Sequence, residues 1–185
     1  TPCTMLTGQE CIEDPNSRVV SSTIEMLNID QIYDIAVIDE AQMIVDSDRG
    51  HSWTRAILGI KAKEIHVCMS PAAENVVQHL IELCHDTYEI FHYERKTPLI
   101  CEDKPFSFPK DVKPGDALIV FSKKSVLDVA GRLEAQGISA SVIYGSLPPE
   151  IRRKQMKLFN QGHNQVVVST DAIGMGLNLP VRRIV

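Results

Sequence analysis

The stretch IAVIDEAQ, residues 35–42, puts two neighbouring carboxylates, Asp39 and Glu40, directly after four apolar residues. Adjacent acids repel each other, so keeping both ionised at the end of a buried strand calls for a cation. A magnesium ion carried on a nucleotide phosphate supplies one, because Mg²⁺ prefers carboxylate and phosphate oxygens and keeps several of its waters. Asp39 would then hold the metal through those waters, and Glu40 would orient and deprotonate an attacking water. A solvated acidic turn is the simpler reading of an Asp-Glu pair alone. The whole run of four apolar residues followed by D-E-A-Q favours the site.

A second stretch, TDAIGMGLNL at 170–179, follows the apolar run QVVVS. It sets a hydroxyl, Thr170, and a carboxylate, Asp171, at the end of a strand, on the rim where α/β sheets place ligands. Gly174 and Gly176 allow a close backbone approach because they lack a Cβ. Taken alone, the stretch also reads as a glycine-rich turn after a core strand. Other residues invite plainer readings. The six histidines (51, 66, 79, 85, 92 and 163) show no metal-ligand spacing. Trp53 reads as the core anchor of a helix, and Arg55 as a contact to the acidic pair or a surface cation. Ser122 has no obvious His or Asp partner for a nucleophile.

The elements that must position these residues are legible as alternation. Short, β-branched apolar runs at 19–20, 35–39, 65–69, 88–93, 117–122, 140–145 and 165–170 read as strands buried on both faces, as in parallel sheets. Helical patterns lie between them. In 71–84, Val76, Val77, Leu80 and Leu83 form one side. The segment 125–137 opens on a Ser125 cap and closes at Gly137, and 148–162 turns Ile151, Met156 and Phe159 inward and stops at Gly162. Strands alternating with helices imply an α/β fold with mostly parallel sheets. The segment 96–116 holds four prolines and no helical period, so residues 97–113 are expected to link two α/β units, 1–96 and 114–185.

Composition sets outer limits. The 185 residues are 44% hydrophobic and 23% charged, with a net charge of −5, which argues against gripping nucleic acid by bulk charge. Backbone N–H groups and helix N-termini remain available for phosphates. The basic run RRKQMK at 152–157 reads as a solvated helix face. Five scattered cysteines with no C-x-x-C suggest reduced thiols. No run of 18 apolar residues is present, so no membrane span is expected. The chain does not begin with Met and carries no signal-peptide pattern, which suggests a piece of a longer protein.

In order along the chain, LTGQE (6–10), SSTIEML (21–27), VIDEAQ (37–42), CMSPAA (68–73), LIVFSKK (118–124) and VVVSTDAIGMGLNL (166–179) resemble motifs Ib, Ic, II, III, IV and V of the superfamily 2 DExD/H helicases. With RGHSWTRAILGI (49–60) and YGSLPPEIR (144–152), they resemble most the branch of mitochondrial degradosome RNA helicases and their bacterial relatives. The resemblance implies two RecA-like lobes, both incomplete here. It implies ATP and Mg²⁺ as cofactors and RNA as partner, either single-stranded or as a duplex with an overhang. An exoribonuclease is a further implied partner; a membrane is not. Asp39, Glu40 and Gln42 take the catalytic role, with Asp39 as the metal residue, and Gly174, Gly176 and Asn178 take the nucleotide. Thr7, Gly8, Ser22, Thr23, Ser122 and Thr170 contact nucleic acid, while Ser70 and Asp171 couple the lobes. A eukaryotic source implies the mitochondrial matrix, a bacterial one the cytoplasm.

The chain departs from that family in two places. It has no G-x-x-x-x-G-K-[ST] phosphate loop and no Q-x-x-G-R-x-G-R segment to supply arginine fingers. These 185 residues alone are therefore expected to be inactive. A DNA helicase or translocase, and a non-hydrolysing RecA-like scaffold, stay open as alternatives.

Overall fold

The computed structural model describes residues 2–174 and 177–185. Three short strands open the chain: β1 (Thr4–Leu6), β2 (Cys11–Ile12) and β3 (Val20–Ser22). They form a sheet in the order β2-β1-β3, with β1 antiparallel to β2 and parallel to β3. The longer β4 (Ile32–Ile38) then pairs in parallel with β5 (Lys61–Val67). The helix α1 (Gly50–Gly59) makes the crossover between them, and α2 (Glu74–Leu83) follows β5. Their core joins Ile38, Ala41, Trp53, Ala56, Ile57, Ala73 and Val77.

Helices cover only one face of this two-stranded sheet. Along β4, Ala36 and Ile38 are buried while Ile35 and Val37 are 61% and 65% exposed. Burial on both faces, expected from the unbroken apolar run, is not what this sheet shows, because α1 and α2 both pack on the face that carries Ile38 and leave Ile35 and Val37 exposed. In α2 the inward stripe is Val77, Leu80 and Ile81. Val76 and Leu83, expected on that side, lie 39% and 58% exposed, off the stripe that a 100° turn per residue defines. The run 88–93, expected as a strand, takes no strand conformation. Residues 88–93 line an open groove together with β5, and the only ladder partner of β5 among the described residues is β4.

The second half is a four-stranded parallel sheet. It comprises β6 (Asp116–Ile119), β7 (Ala140–Ile143), β8 (Val166–Ser169) and β9 (Arg183–Ile184), in the order β7-β8-β6-β9. The helices α3 (Lys123–Glu134) and α4 (Pro149–Asn160) connect its strands. Here the expectation of two buried faces is met. Val166 and Val168 of β8 pack with Leu118, Val126 and Leu133, and Val167 packs with Ala117, Ile143 and Phe159. Helix α3 begins earlier than its pattern suggests, because Ser122 and not Ser125 caps it: the Ser122 Oγ accepts from the Ser125 N–H at 3.1 Å. In α4, Met156 and Phe159 face inward, whereas Ile151 in the first turn is 45% exposed.

The chain divides into two compact units, Thr1–Arg95 and Lys96–Val185. The proline-rich stretch is therefore part of the second unit and not a free spacer along its whole length. Phe108 and Val112 pack on that unit's core. The Arg183 guanidinium bonds Asp116 at 2.6 and 3.0 Å, the Asp111 carbonyl at 2.7 Å and Glu102 at 3.2 Å, and it lies over the Phe106 ring. Asp116 is almost fully buried. Among the described residues no helix is long and apolar enough to cross a membrane.

Candidate functional site

Strand β4 delivers Asp39 and Glu40 to its C-terminal end, with Asp39 exposed and Glu40 half-buried. Glu40 has left-handed backbone angles, φ 54° and ψ 39°. For a residue with a Cβ that conformation costs about 1–2 kcal/mol, so neighbouring contacts must hold it. Several do. The Ala41 N–H donates to the Cys68 carbonyl and the Cys68 N–H to the Ile38 carbonyl, both at 2.9 Å. The Met43 N–H closes the turn on the Glu40 carbonyl at 2.9 Å. From α1, the Trp53 indole N–H donates to the Asp39 carbonyl at 2.9 Å.

Gln42 joins the acidic turn to the segment after β5. Its Nε2 donates to Glu40 Oε2, and its Oε1 accepts from the Ser70 N–H at 3.1 Å. Asp39, Glu40, Gln42 and Ser70 thus form one connected group. One Asp39 oxygen accepts from the Glu40 N–H at 2.9 Å, and the carboxylate is otherwise turned to solvent. A single exposed carboxylate suits a hydrated Mg²⁺, which keeps most of its waters and takes phosphate oxygens as well. Glu40, tied to a carboxamide donor, is placed as an oriented acceptor for a water proton.

Thr7 and Gly8 follow β1, and Thr23 follows Ser22 at the end of β3. Because β1 and β3 are parallel neighbours with Leu6 opposite Ser22, these four residues share one sheet end. The Thr7 hydroxyl is engaged in its own turn, accepting from Glu10 N–H at 2.9 Å. Ser22 is exposed. In the second unit, Ile119 pairs with Ser169, so Ser122 and Thr170 lie on the same C-terminal rim. Both hydroxyls cap local turns, Ser122 as described and Thr170 by accepting from the Ala172 N–H at 3.3 Å. Asp171 opens a 3₁₀ turn, Asp171–Ile173, whose carbonyl takes the Gly174 N–H at 2.8 Å. A Cβ on Gly174 would sit 3.1 Å from that carbonyl oxygen. Asn178 is exposed, and Gly176 lies outside the described residues.

Three contacts went unread in the sequence. Trp53 was legible as a core anchor, but its N–H reaches the acidic turn; a buried indole needs an acceptor, and that rule was the available signal. Arg55 is exposed, as its surface-cation reading had it, and its guanidinium also donates to the Leu27 carbonyl at 3.3 Å. Lys123 sits 5.1 Å from the Tyr144 ring centre on the second unit's rim.

Residues 1–93 match the model for the DEXQ-box helicase domain of Suv3. The chain belongs to this family. Residues 103–185 of this Suv3-type chain match the helicase conserved C-terminal domain. It is 45% identical over 190 residues to the DExH-box ATP-dependent RNA helicase DExH18, mitochondrial, of Arabidopsis thaliana, covering 99% of this chain and 24% of that protein. It is 42% identical to the human ATP-dependent RNA helicase SUPV3L1, mitochondrial, covering 100% and 24%, and 42% identical to SUV3 of Saccharomyces cerevisiae, covering 99% and 26%. The chain thus spans about a quarter of these relatives. Its fold is that of RecA-like helicases. It resembles S. cerevisiae Dbp5 bound to RNA and ADP BeF3 with a TM-score of 0.68 at 16% identity, covering 99% of this chain and 54% of that one. For the Mycobacterium smegmatis helicase Lhr bound to ssDNA and AMP-PNP the TM-score is 0.58 at 13% identity, covering 99% and 30%.

Proposed function

We propose that this region belongs to the ATP-hydrolysing core of an RNA helicase that acts in RNA degradation, in mitochondria where the source is eukaryotic. The observation that carries the reading is the connected group Asp39–Glu40–Gln42–Ser70 at the end of β4. Asp39 would hold the hydrated Mg²⁺ of bound ATP, which would supply positive charge against the phosphates. Glu40 takes the proton of the attacking water, Gln42 orients Glu40, and Ser70 transmits the state of that group. Gly174, Gly176 and Asn178 approach the nucleotide, and Asp171 couples the second unit to it. Thr7, Gly8, Ser22, Thr23, Ser122 and Thr170 contact the RNA backbone without reading bases. An RNA-degrading exoribonuclease is the expected protein partner.

Glu40→Gln in the full-length protein tests the reading, because it keeps shape and removes the base. Turnover of ATP should fall on the order of 10²-fold or more with nucleotide affinity retained. Near wild-type turnover would contradict the role of Glu40. Stimulation measured with RNA and with DNA strands of equal length separates an RNA helicase from a DNA translocase, and no stimulated turnover with either leaves the scaffold reading.

A further inference from the structure

We infer that α1 is a brace carrying the state of the 22–27 segment to the Asp39–Glu40 turn, with Glu25, Arg49 and Trp53 as positioning residues. The inference rests on the proposed function, in which Ser22 and Thr23 touch RNA and Asp39 and Glu40 serve ATP. Three contacts form a continuous path from Glu25 through Arg49 and Trp53 to Asp39, and a fourth ties α1 to the same segment. Arg49, one residue before α1, bonds Glu25 Oε1 through Nε and Nη2, each at 2.8 Å. Its guanidinium carbon lies 5.4 Å from the Trp53 ring centre. The Trp53 indole holds the Asp39 carbonyl at 2.9 Å. Two residues after Trp53, Arg55 holds the Leu27 carbonyl, so Arg49 and the helix grip the 22–27 segment at two points.

Packing makes the path stiff. Gly50, the first residue of α1, is pressed on the main chain of the 41–45 turn: a Cβ there would lie 2.8 Å from the Ile44 carbonyl carbon and closer still to its oxygen. The Gly50 N–H donates to the Asp46 carbonyl and the Arg49 N–H to the Asp46 carboxylate. The N-terminal end of α1 therefore cannot shift without moving the turn that carries Gln42. The Arg49–Glu25 pair is itself 44% and 41% exposed, a setting in which an ion pair adds little to stability. Its position between two functional segments is the better account of it.

The test is made on the full-length protein with Glu25→Gln and Trp53→Phe, measuring ATP turnover with and without RNA, KM for ATP, and RNA affinity with and without a non-hydrolysable ATP analogue. Glu25→Gln should leave basal turnover and KM unchanged and cut the RNA-stimulated turnover by about two- to fivefold, within what the ~0.2–1 kcal/mol of a half-exposed ion pair converts to. It should also shrink the gain in RNA affinity that the analogue produces, since coupling between bound ligands is reciprocal. Trp53→Phe keeps an aromatic ring and loses the N–H. It should lower stimulated turnover more, and the double variant should match Trp53→Phe alone, because both break one path. Unaltered stimulation in both variants, or losses that multiply in the double variant, would overturn the brace. If Trp53→Phe fails to fold, Glu25→Gln alone decides. Loss of turnover in Glu40→Gln beside normal stimulation in Glu25→Gln rejects the brace only; normal turnover in Glu40→Gln rejects the functional reading beneath it.

Discussion

Gln42 is the residue that ties the Glu40 carboxylate to the segment after β5. A carboxamide has a donor and an acceptor on one planar group, and here each is used, the donor on Glu40 and the acceptor on the Ser70 N–H. Leucine has nearly the same shape and neither function. Gln42→Leu should lower the full-length protein's turnover by roughly ten- to a hundredfold while ATP affinity changes little, the pattern of a group that serves the transition state. Gln42→Glu keeps an acceptor for Ser70 but sets a second carboxylate against Glu40. Like charges at that range disfavour ionisation of one of them, so Gln42→Glu should be at least as slow at neutral pH. Steady-state kinetics of the two variants check this, and wild-type turnover in Gln42→Glu would show that the donor is dispensable. The D-E-A-Q run was legible as a chemical site, but the Ser70 partner lies 28 positions away and no local pattern pairs the two.

At the scale of elements, α1 matters through its first residue. Glycine is required at position 50 by close approach and not by backbone angle. Gly50→Ala should push α1 off the 41–45 turn and destabilise the first unit by about 1–3 kcal/mol, the usual range for overpacking. Trp53 is the single tryptophan and is 4% exposed, so urea unfolding followed by its fluorescence reads this unit directly. An unchanged midpoint would show that the helix shifts freely. The longer strands were legible in apolar runs, although 88–93 forms none and β1, β2 and β9 gave no such signal, and sidedness was not legible. The runs of β4 and β8 are similar in composition, yet β8 is covered on both faces and β4 on one, because α3 and α4 pack on opposite sides of one sheet while α1 and α2 share a side of the other.

Across the whole molecule, the two units hold separate cores and separate parts of the proposed chemistry. The first supplies metal and base residues, the second rim hydroxyls and the Asp171 turn. Neither contains a glycine-rich phosphate loop with its lysine or the arginine-bearing segment named above, and both bear on triphosphate binding and transition-state charge. Each 1.36 kcal/mol added to the barrier by a missing part slows the reaction tenfold. Residues 1–185 alone should therefore release no phosphate from ATP above background, with or without RNA. RNA-stimulated release from the purified 185 residues would show that the residues present suffice.

Several features follow from sequence alone. The order of the helicase-like motifs, the alternation of strand and helix, the D-E-A-Q pair after a strand, and the turn at Thr170 and Asp171 are all local, and local periodicity and residue chemistry are enough to read them. The tertiary structure alone decided the rest: that Gln42 bridges to Ser70, that Trp53 donates to the Asp39 carbonyl, that Arg49 and Arg55 hold the 22–27 segment, that Ser122 caps α3, and that Arg183 ties the proline-rich stretch to Asp116. The reason is physical. A side chain's hydrogen-bonding capacity is written in its type, but which partner it meets depends on how distant segments pack, and that is settled by the burial of whole faces and not by neighbours in sequence.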